Sequence, residues 1–178
     1  MNNIILCGFM GCGKSTVGKN IARKSGRRFI DMDAYIEEEA GMTVSEIFAR
    51  EGEEGFRDRE HQACLELAQK SNAVIAAGGG ALTFERNVQA FKGKDWIVLI
   101  DVPLETIKFR LRNDKNRPLL QRPDKDEVMA KLYSSRFPLY QAAADTVIEG
   151  KSTPLRTALA VMEAERRRYL HLRFKVIK

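Results

Sequence analysis

The chain has little of what marks an exported, membrane or metal-stapled protein. Its three cysteines, Cys7, Cys12 and Cys64, are odd in number, and no two stand in the C-x-x-C spacing of a zinc site or redox centre. Reduced thiols in a cytoplasmic protein are therefore expected. No apolar run approaches the length that crosses a bilayer, and the opening Met1-Asn2-Asn3-Ile4 lacks the basic region and cleavage site of a secretion signal. No repeat, low-complexity tract or Pro/Ser-rich linker interrupts the 178 residues, so one domain spanning 1–178 is expected, large enough to bury most of the surface that unfolding exposes. Also missing is an acidic residue at the end of the apolar run Ala73 to Ala77, where many nucleotide-binding sheets keep a metal-supporting aspartate.

What is present is ordinary in bulk and specific in detail. Hydrophobic residues make up 44% and charged residues 30%, as in soluble globular proteins. The net charge of +6 suits nucleic acid or anionic small substrates, and composition does not choose between them. Strand-like runs recur at Ile4 to Cys7, Arg28 to Asp31, Ala73 to Ala76, Trp96 to Asp101 and Thr146 to Ile148, separated by helical patterns. That alternation predicts an α/β protein with a parallel sheet and crossover helices. Thr16 to Ser25 reads as a helix stopped by Gly26, and Thr43 with Glu46 as a capping box opening another. The stretch 113–125 is polar, with Pro118, Pro123, Arg117 and Arg122, and is expected to form a mobile flap. The basic tail from Arg166 reads as a solvated last helix and extension rather than a nucleic-acid arm.

Gly8 to Ser15, Gly-Phe-Met-Gly-Cys-Gly-Lys-Ser, matches G-x-x-x-x-G-K-[ST] in full and directly follows the first strand. A strand feeding a glycine-rich turn aims successive N–H groups at one point, and the next helix adds its positive end there. Lys14 would reach the β and γ phosphates of a nucleotide, and the Ser15 hydroxyl would complete the coordination of Mg²⁺. The alternative, a turn that merely joins strand to helix, leaves the filled motif unexplained.

Four further groups of residues suit phosphoryl transfer. Asp31 and Asp33 close the second strand two apart, so both carboxylates are expected on one strand face, aimed at the crevice; helix capping is the alternative. Glu53 to Glu60 is dense in charge, and Arg57 beside Phe56 reads either as part of a solvated face or as a partly buried fork for a carboxylate. Gly78, Gly79 and Gly80 imply close backbone approach to a ligand or a plain flexible turn. Arg117 on the flap and Arg136 in Arg-Phe-Pro-Leu-Tyr add cations of the kind that stabilise a moving phosphoryl group.

Together these residues resemble the shikimate kinase family, from Ile4 to about Arg166. The resemblance rests on Gly8 to Thr16, Phe29-Ile30-Asp31-Met32-Asp33, Ile47-Phe48, Gly52-Glu53, Phe56-Arg57 with Glu60, Gly78 to Gly80, Arg117-Pro118-Leu119-Leu120, and Arg136 with Tyr140 and Ala143. It implies a three-layer P-loop kinase fold, with a five-stranded parallel sheet between helices, substrate-binding helices at about 34–60 and a lid at about 113–125. It further implies ATP-dependent phosphorylation of the shikimate 3-hydroxyl, with Mg²⁺, by a cytoplasmic monomer that needs neither nucleic acid nor membrane.

Carried over by position, Lys14, Asp33 and Arg117 resemble the catalytic residues. Gly11, Cys12, Gly13, Lys14, Ser15, Thr16, Arg110, Arg117 and Pro154 resemble the ATP site, with Arg110 and Pro154 flanking the adenine. Asp33, Phe48, Phe56, Arg57, Gly78, Gly79, Gly80 and Arg136 resemble the shikimate site, and Ser15 with Asp31 the metal support. Cys12 stands where the family commonly has Ala or Ser, Ala76-Ala77 lack a hydroxyl before the glycines, and the basic tail has no part in the pattern. Other readings are a gluconate or similar hydroxy-acid kinase, a nucleoside monophosphate kinase, and a nucleotide-dependent RNA-binding switch.

Overall fold

The computed structural model describes residues 2–113 and 123–176, with side chains described as far as residue 170. Five strands, β1 (Ile4–Cys7), β2 (Arg28–Asp31), β3 (Ala73–Ala76), β4 (Trp96–Asp101) and β5 (Thr146–Glu149), pair in parallel in the order β2-β3-β1-β4-β5. Four strands match the expected bounds, and β5 runs one residue beyond its expected end. Among the described residues the helices are α1 (Lys14–Ser25), α2 (Met32–Ala40), α3 (Val44–Ala68), α4 (Glu85–Phe91), α5 (Leu104–Leu111), α6 (Lys125–Ala143) and α7 (Pro154–Val176), with a 3-10 turn at Ala81–Thr83. The sequence expectation of a final helix is met by α7.

Burial explains why these runs form the middle of a sheet. Every residue of β1 and β3 is buried, as is β4 up to Ile100, because a parallel sheet is covered on both faces and its central strands must be apolar throughout. Ile5, Leu6, Ile75, Ile97 and Val98 form its centre, each fully buried side chain stabilising the fold by about 1.5–3 kcal/mol. The edge strand β5 alternates instead, with Val147 and Glu149 turned to solvent.

The helix ends also follow from local chemistry. Gly26, at φ 69°, terminates α1 in the left-handed conformation, and the Thr43–Glu46 capping box opens α3. Gly52, at φ 70°, kinks α3, and the limb beyond it buries Phe56, Ala63 and Leu67. All three cysteines are buried and free, and burial pushes the Cys7 and Cys64 thiols up to about 12, leaving them protonated packing groups.

The sheet positions the site. The turns after β1, β2, β3 and β5 leave the carboxyl ends of neighbouring strands, and β1 lies where the strand order reverses, with β3 on one side and β4 on the other. A crevice opens at such a reversal, and ligands of open α/β sheets bind there. The flap expected at 113–125 falls mostly on 114–122, outside the described residues, and so does Arg117.

Candidate active site

The loop after β1 turns back on itself, the Cys12 amide donating to the Phe9 oxygen at 3.2 Å, and delivers the chain into α1. Gly13 makes the entry at φ 99°, a conformation that side chains rarely adopt. Lys14 Nζ lies over the loop, donating to the Gly8 oxygen at 2.7 Å and the Phe9 oxygen at 3.2 Å. Cys12 is buried beneath the loop, and its carbonyl accepts from Arg110 Nη1 at 3.2 Å. Arg110 Nη2 also donates to the Gly150 oxygen at 2.9 Å, which ties α5 to the turn that leads from β5 to Pro154 at the start of α7.

Ser15 Oγ donates to Asp31 Oδ2 at 2.6 Å, while Asp31 Oδ1 accepts from the Asp33 amide at 3.2 Å and so caps α2. This corrects the strand-face expectation. The strand ends at Asp31 because its side chain starts the helix at once, and Asp33 stands in the first turn of α2 rather than on the strand. Capping, one of the two readings posed for the pair, is what Asp31 does, and its second carboxylate oxygen accepts from Ser15. The Ser15 hydroxyl and Asp31 carboxylate are hard oxygen donors of the kind Mg²⁺ takes. Among the described residues no group of three or more His, Cys, Asp or Glu is placed to hold a metal ion.

A cleft of about 280 Å³ brings Gly11, Gly13, Lys14, Ser15, Thr16, Asp31, Asp33 and Gly79 onto one wall system, together with Met10, Ala76 and Ala77. Around its far side the glycine turn meets α3 and α6. Gly78 and Gly80 are glycine for space rather than for backbone freedom. A Cβ on Gly78 would stand 2.8 Å from Asp33 Oδ1 and 3.1 Å from Glu60 Oε1, and one on Gly80 would stand 2.8 Å from Arg57 Nη1. A Cβ on Gly79 would have more room, the first atom it met being the Met10 amide nitrogen at 3.7 Å. The turn is thus packed closely against protein side chains rather than standing as a plain flexible connection.

Arg57 is partly buried rather than part of a solvated face. Its guanidinium lies between the Phe56 and Phe84 rings, 5.3 and 5.2 Å from their centres, and Nη1 donates to Glu60 Oε2 at 2.9 Å. Phe48 stacks on Phe56 at 4.7 Å between centroids. Arg136 Nη1 reaches the Gly79 oxygen at 3.4 Å, from α6.

Two residues that the sequence reading placed in no functional role stand at the centre of this side. Glu60 is buried beside Arg57, and Tyr140 donates its hydroxyl to the Gly79 oxygen. Burial raises the Glu60 carboxyl above its ordinary value; the Arg57 charge opposes the rise and Asp33 adds to it. The signal for Glu60 was available: it lies three residues from Arg57 on the helical face that carries Ala63, Cys64 and Leu67 into the core.

Comparison with known proteins covers nearly all of this structure. A family model described as shikimate kinase matches residues 10–168. Shikimate kinase of Burkholderia lata is 44% identical over 147 residues, 83% of this chain and 80% of that protein. That of Psychrobacter cryohalolentis is 40% identical over 146 residues, 82% of this chain and 78% of that protein. A solved shikimate kinase from Acinetobacter baumannii, in complex with shikimate, has a TM-score of 0.89 at 37% identity and covers 94% of both chains. A gluconokinase from Sinorhizobium meliloti, at TM-score 0.56 and 16% identity, shares the fold alone. With sequence and backbone agreeing over the same span, the chain belongs to the shikimate kinase family.

Proposed function

We propose that the cleft at the carboxyl end of the sheet is where ATP and shikimate meet, and that the chain works there as one monomeric, cytoplasmic domain. The reaction is the phosphorylation of the shikimate 3-hydroxyl by ATP, giving shikimate 3-phosphate and ADP on the route to chorismate and the aromatic amino acids. Among the described residues no helix is long and apolar enough to cross a membrane. The observation that carries the site assignment is the Gly78–Gly80 turn, which stands against Asp33, Glu60 and Arg57 and accepts from Arg136 at one place.

Arg57 and Arg136 would grip the shikimate carboxylate, since a guanidinium fork matches a carboxylate in two parallel hydrogen bonds. Gly79 and Gly80 would offer amide N–H groups, with Phe48 and Phe56 walling the same side. Asp33 would hold the reacting hydroxyl and take its proton as the bond to phosphorus forms. Lys14 would leave its carbonyl partners for the phosphates, a short move for a flexible four-carbon stem. Arg117 would add a second cation to the phosphates, and Arg110 and Pro154 would flank the adenine, with Gly11, Cys12, Gly13 and Thr16 around the phosphates. Ser15 and Asp31 would hold Mg²⁺, which when bound with the nucleotide neutralises phosphate charge.

Measuring ADP release with shikimate, gluconate and AMP as acceptors tests this reading. Shikimate should drive release well above the other two. Equal turnover with gluconate or AMP would assign the cleft to another acceptor, and salt-sensitive RNA binding without turnover would remove it from kinase chemistry altogether.

A further inference from the structure

Four successive backbone carbonyls after β3 are tied back into the protein. The Gly78 oxygen accepts from the Ala81 amide at 3.2 Å, and the Gly80 oxygen accepts from the Thr83 amide at 3.1 Å and the Thr83 hydroxyl at 2.7 Å. The Ala81 oxygen accepts from Asn87 Nδ2 at 2.9 Å, and Asn87 Oδ1 lies 2.8 Å from His61 Nδ1. The Gly79 oxygen is held from a helix far along the chain, by the Tyr140 hydroxyl and, at a long 3.4 Å, by Arg136 Nη1. The amides of Gly79 and Gly80 find no backbone acceptor among the described residues.

A peptide unit is planar, so the C=O of one residue and the N–H of the next point in opposite directions. Fixing the Gly79 oxygen therefore aims the Gly80 amide. Glycine itself would not, because its backbone turns more freely than that of any other residue. Tyr140 can act as the anchor because its side chain is almost wholly buried, and burial pushes its phenol well above the usual tyrosine range, so the hydroxyl stays a donor. Arg136 is a poorer anchor. Its contact is long, and a guanidinium turned to a carboxylate gives that contact up.

We propose that Tyr140 is a positioning residue for acceptor recognition, holding the Gly79–Gly80 peptide so that the Gly80 amide faces the acceptor while Arg136 is free to bind the acceptor carboxylate. The inference rests on the reading of the Gly78–Gly80 turn as part of the shikimate site.

Tyr140→Phe keeps the ring in the core and removes the hydroxyl alone. Steady-state rates should show KM for shikimate raised about five- to tenfold, the size expected for one lost hydrogen bond, with KM for ATP and the melting temperature little changed. A lower melting temperature with both KM values unmoved would make the hydroxyl merely structural and overturn the proposal. In an Arg136→Lys background the same substitution should raise KM at least as much as it does alone, because no guanidinium remains to take over the Gly79 oxygen. An effect of Tyr140→Phe that vanishes in that background would overturn the proposal too. Should Tyr140→Phe fail to fold, Thr83→Val removes the hydroxyl on the next carbonyl. A rise in KM for shikimate alone then supports the pinned turn, and unchanged constants overturn it. A wild-type enzyme that leaves shikimate untouched would fail the functional reading itself, a result distinct from any of these.

Discussion

Arg57 and Glu60, one turn apart on α3, form an ion pair at 2.9 Å in which the carboxylate side chain is 1% exposed and the guanidinium 14%. The pair is asymmetric in use. Glu60 is enclosed by the core and spends its charge on orienting Arg57, whereas Arg57 keeps the edge that meets Gly80. A second carboxylate, Glu53, touches Arg57 at 3.3 Å but is mostly in solvent and restrains it less.

This pairing predicts an unusual pH dependence. The native Glu60 carboxyl holds its proton to higher pH than the unfolded one, so the stability it contributes is fullest below about 4.5 and is lost as pH rises through the raised native value. Melting temperatures of wild type and Glu60→Gln, taken from about pH 4 to about pH 8, should show the wild type losing ground to the variant as pH increases. A wild-type advantage that grows with pH would refute this. The same variant should raise KM for shikimate, since Arg57 loses its buried anchor.

Replacing either guanidinium by an ammonium keeps charge and discards the fork. Arg57→Lys and Arg136→Lys should each weaken shikimate use roughly tenfold or more while leaving ATP binding near wild type, because charge-assisted bidentate bonds are worth about 1.5–3 kcal/mol. Equal weakening toward nucleotide and acceptor would remove these arginines from the carboxylate clamp.

Lys14 places its ammonium on the Gly8 and Phe9 carbonyls, at the lip of the cleft rather than in the core. Lys14→Met should therefore fold normally and lose about a hundredfold or more in kcat, as when an electrostatic contact to a transferring group is deleted. Calorimetry and turnover on the same sample check both halves. Near-normal turnover would take the loop out of phosphate binding.

Asp33→Asn should nearly abolish transfer at every Mg²⁺ concentration. Asp31→Asn should chiefly raise the Mg²⁺ requirement, and because asparagine also caps helices well, stability should change little. Rate against Mg²⁺ concentration separates the two. Rescue of the Asp33 variant alone by excess Mg²⁺ would reverse the roles.

The glycine turn tests space directly. Gly78→Ala and Gly80→Ala each place a methyl 2.8 Å from the tip of a side chain, Asp33 or Arg57, that moves aside more cheaply than backbone would. The variants should melt within a few degrees of wild type, as expected for about 1 kcal/mol, yet use shikimate poorly. Loss of folding with normal KM in the surviving protein would place the clash in the core instead.

Where the physics is local, the residues by themselves determined the outcome. The glycine-rich turn after β1, four of the five strand bounds, the αL stop at Gly26 and the Thr43–Glu46 capping box each depend on residues within a few positions of one another, and each stands in the structure where the chain's pattern puts it. Membership of the family was legible in the same way, through motifs in a fixed order. What only the tertiary structure decided involves partners far apart in sequence. The strand order pairs β2 with β3, which brings Gly78 onto Asp33; Glu60 meets the same glycine from α3, and Tyr140 reaches Gly79 from α6 across 61 residues. Charge density alone could not tell a solvated Arg57 from a buried one, because the Phe84 ring that covers it comes from beyond the next strand. Asp33 left the strand because Asp31 satisfies an amide of α2, a competition between capping and extension that a hydrogen bond settles and a periodicity does not.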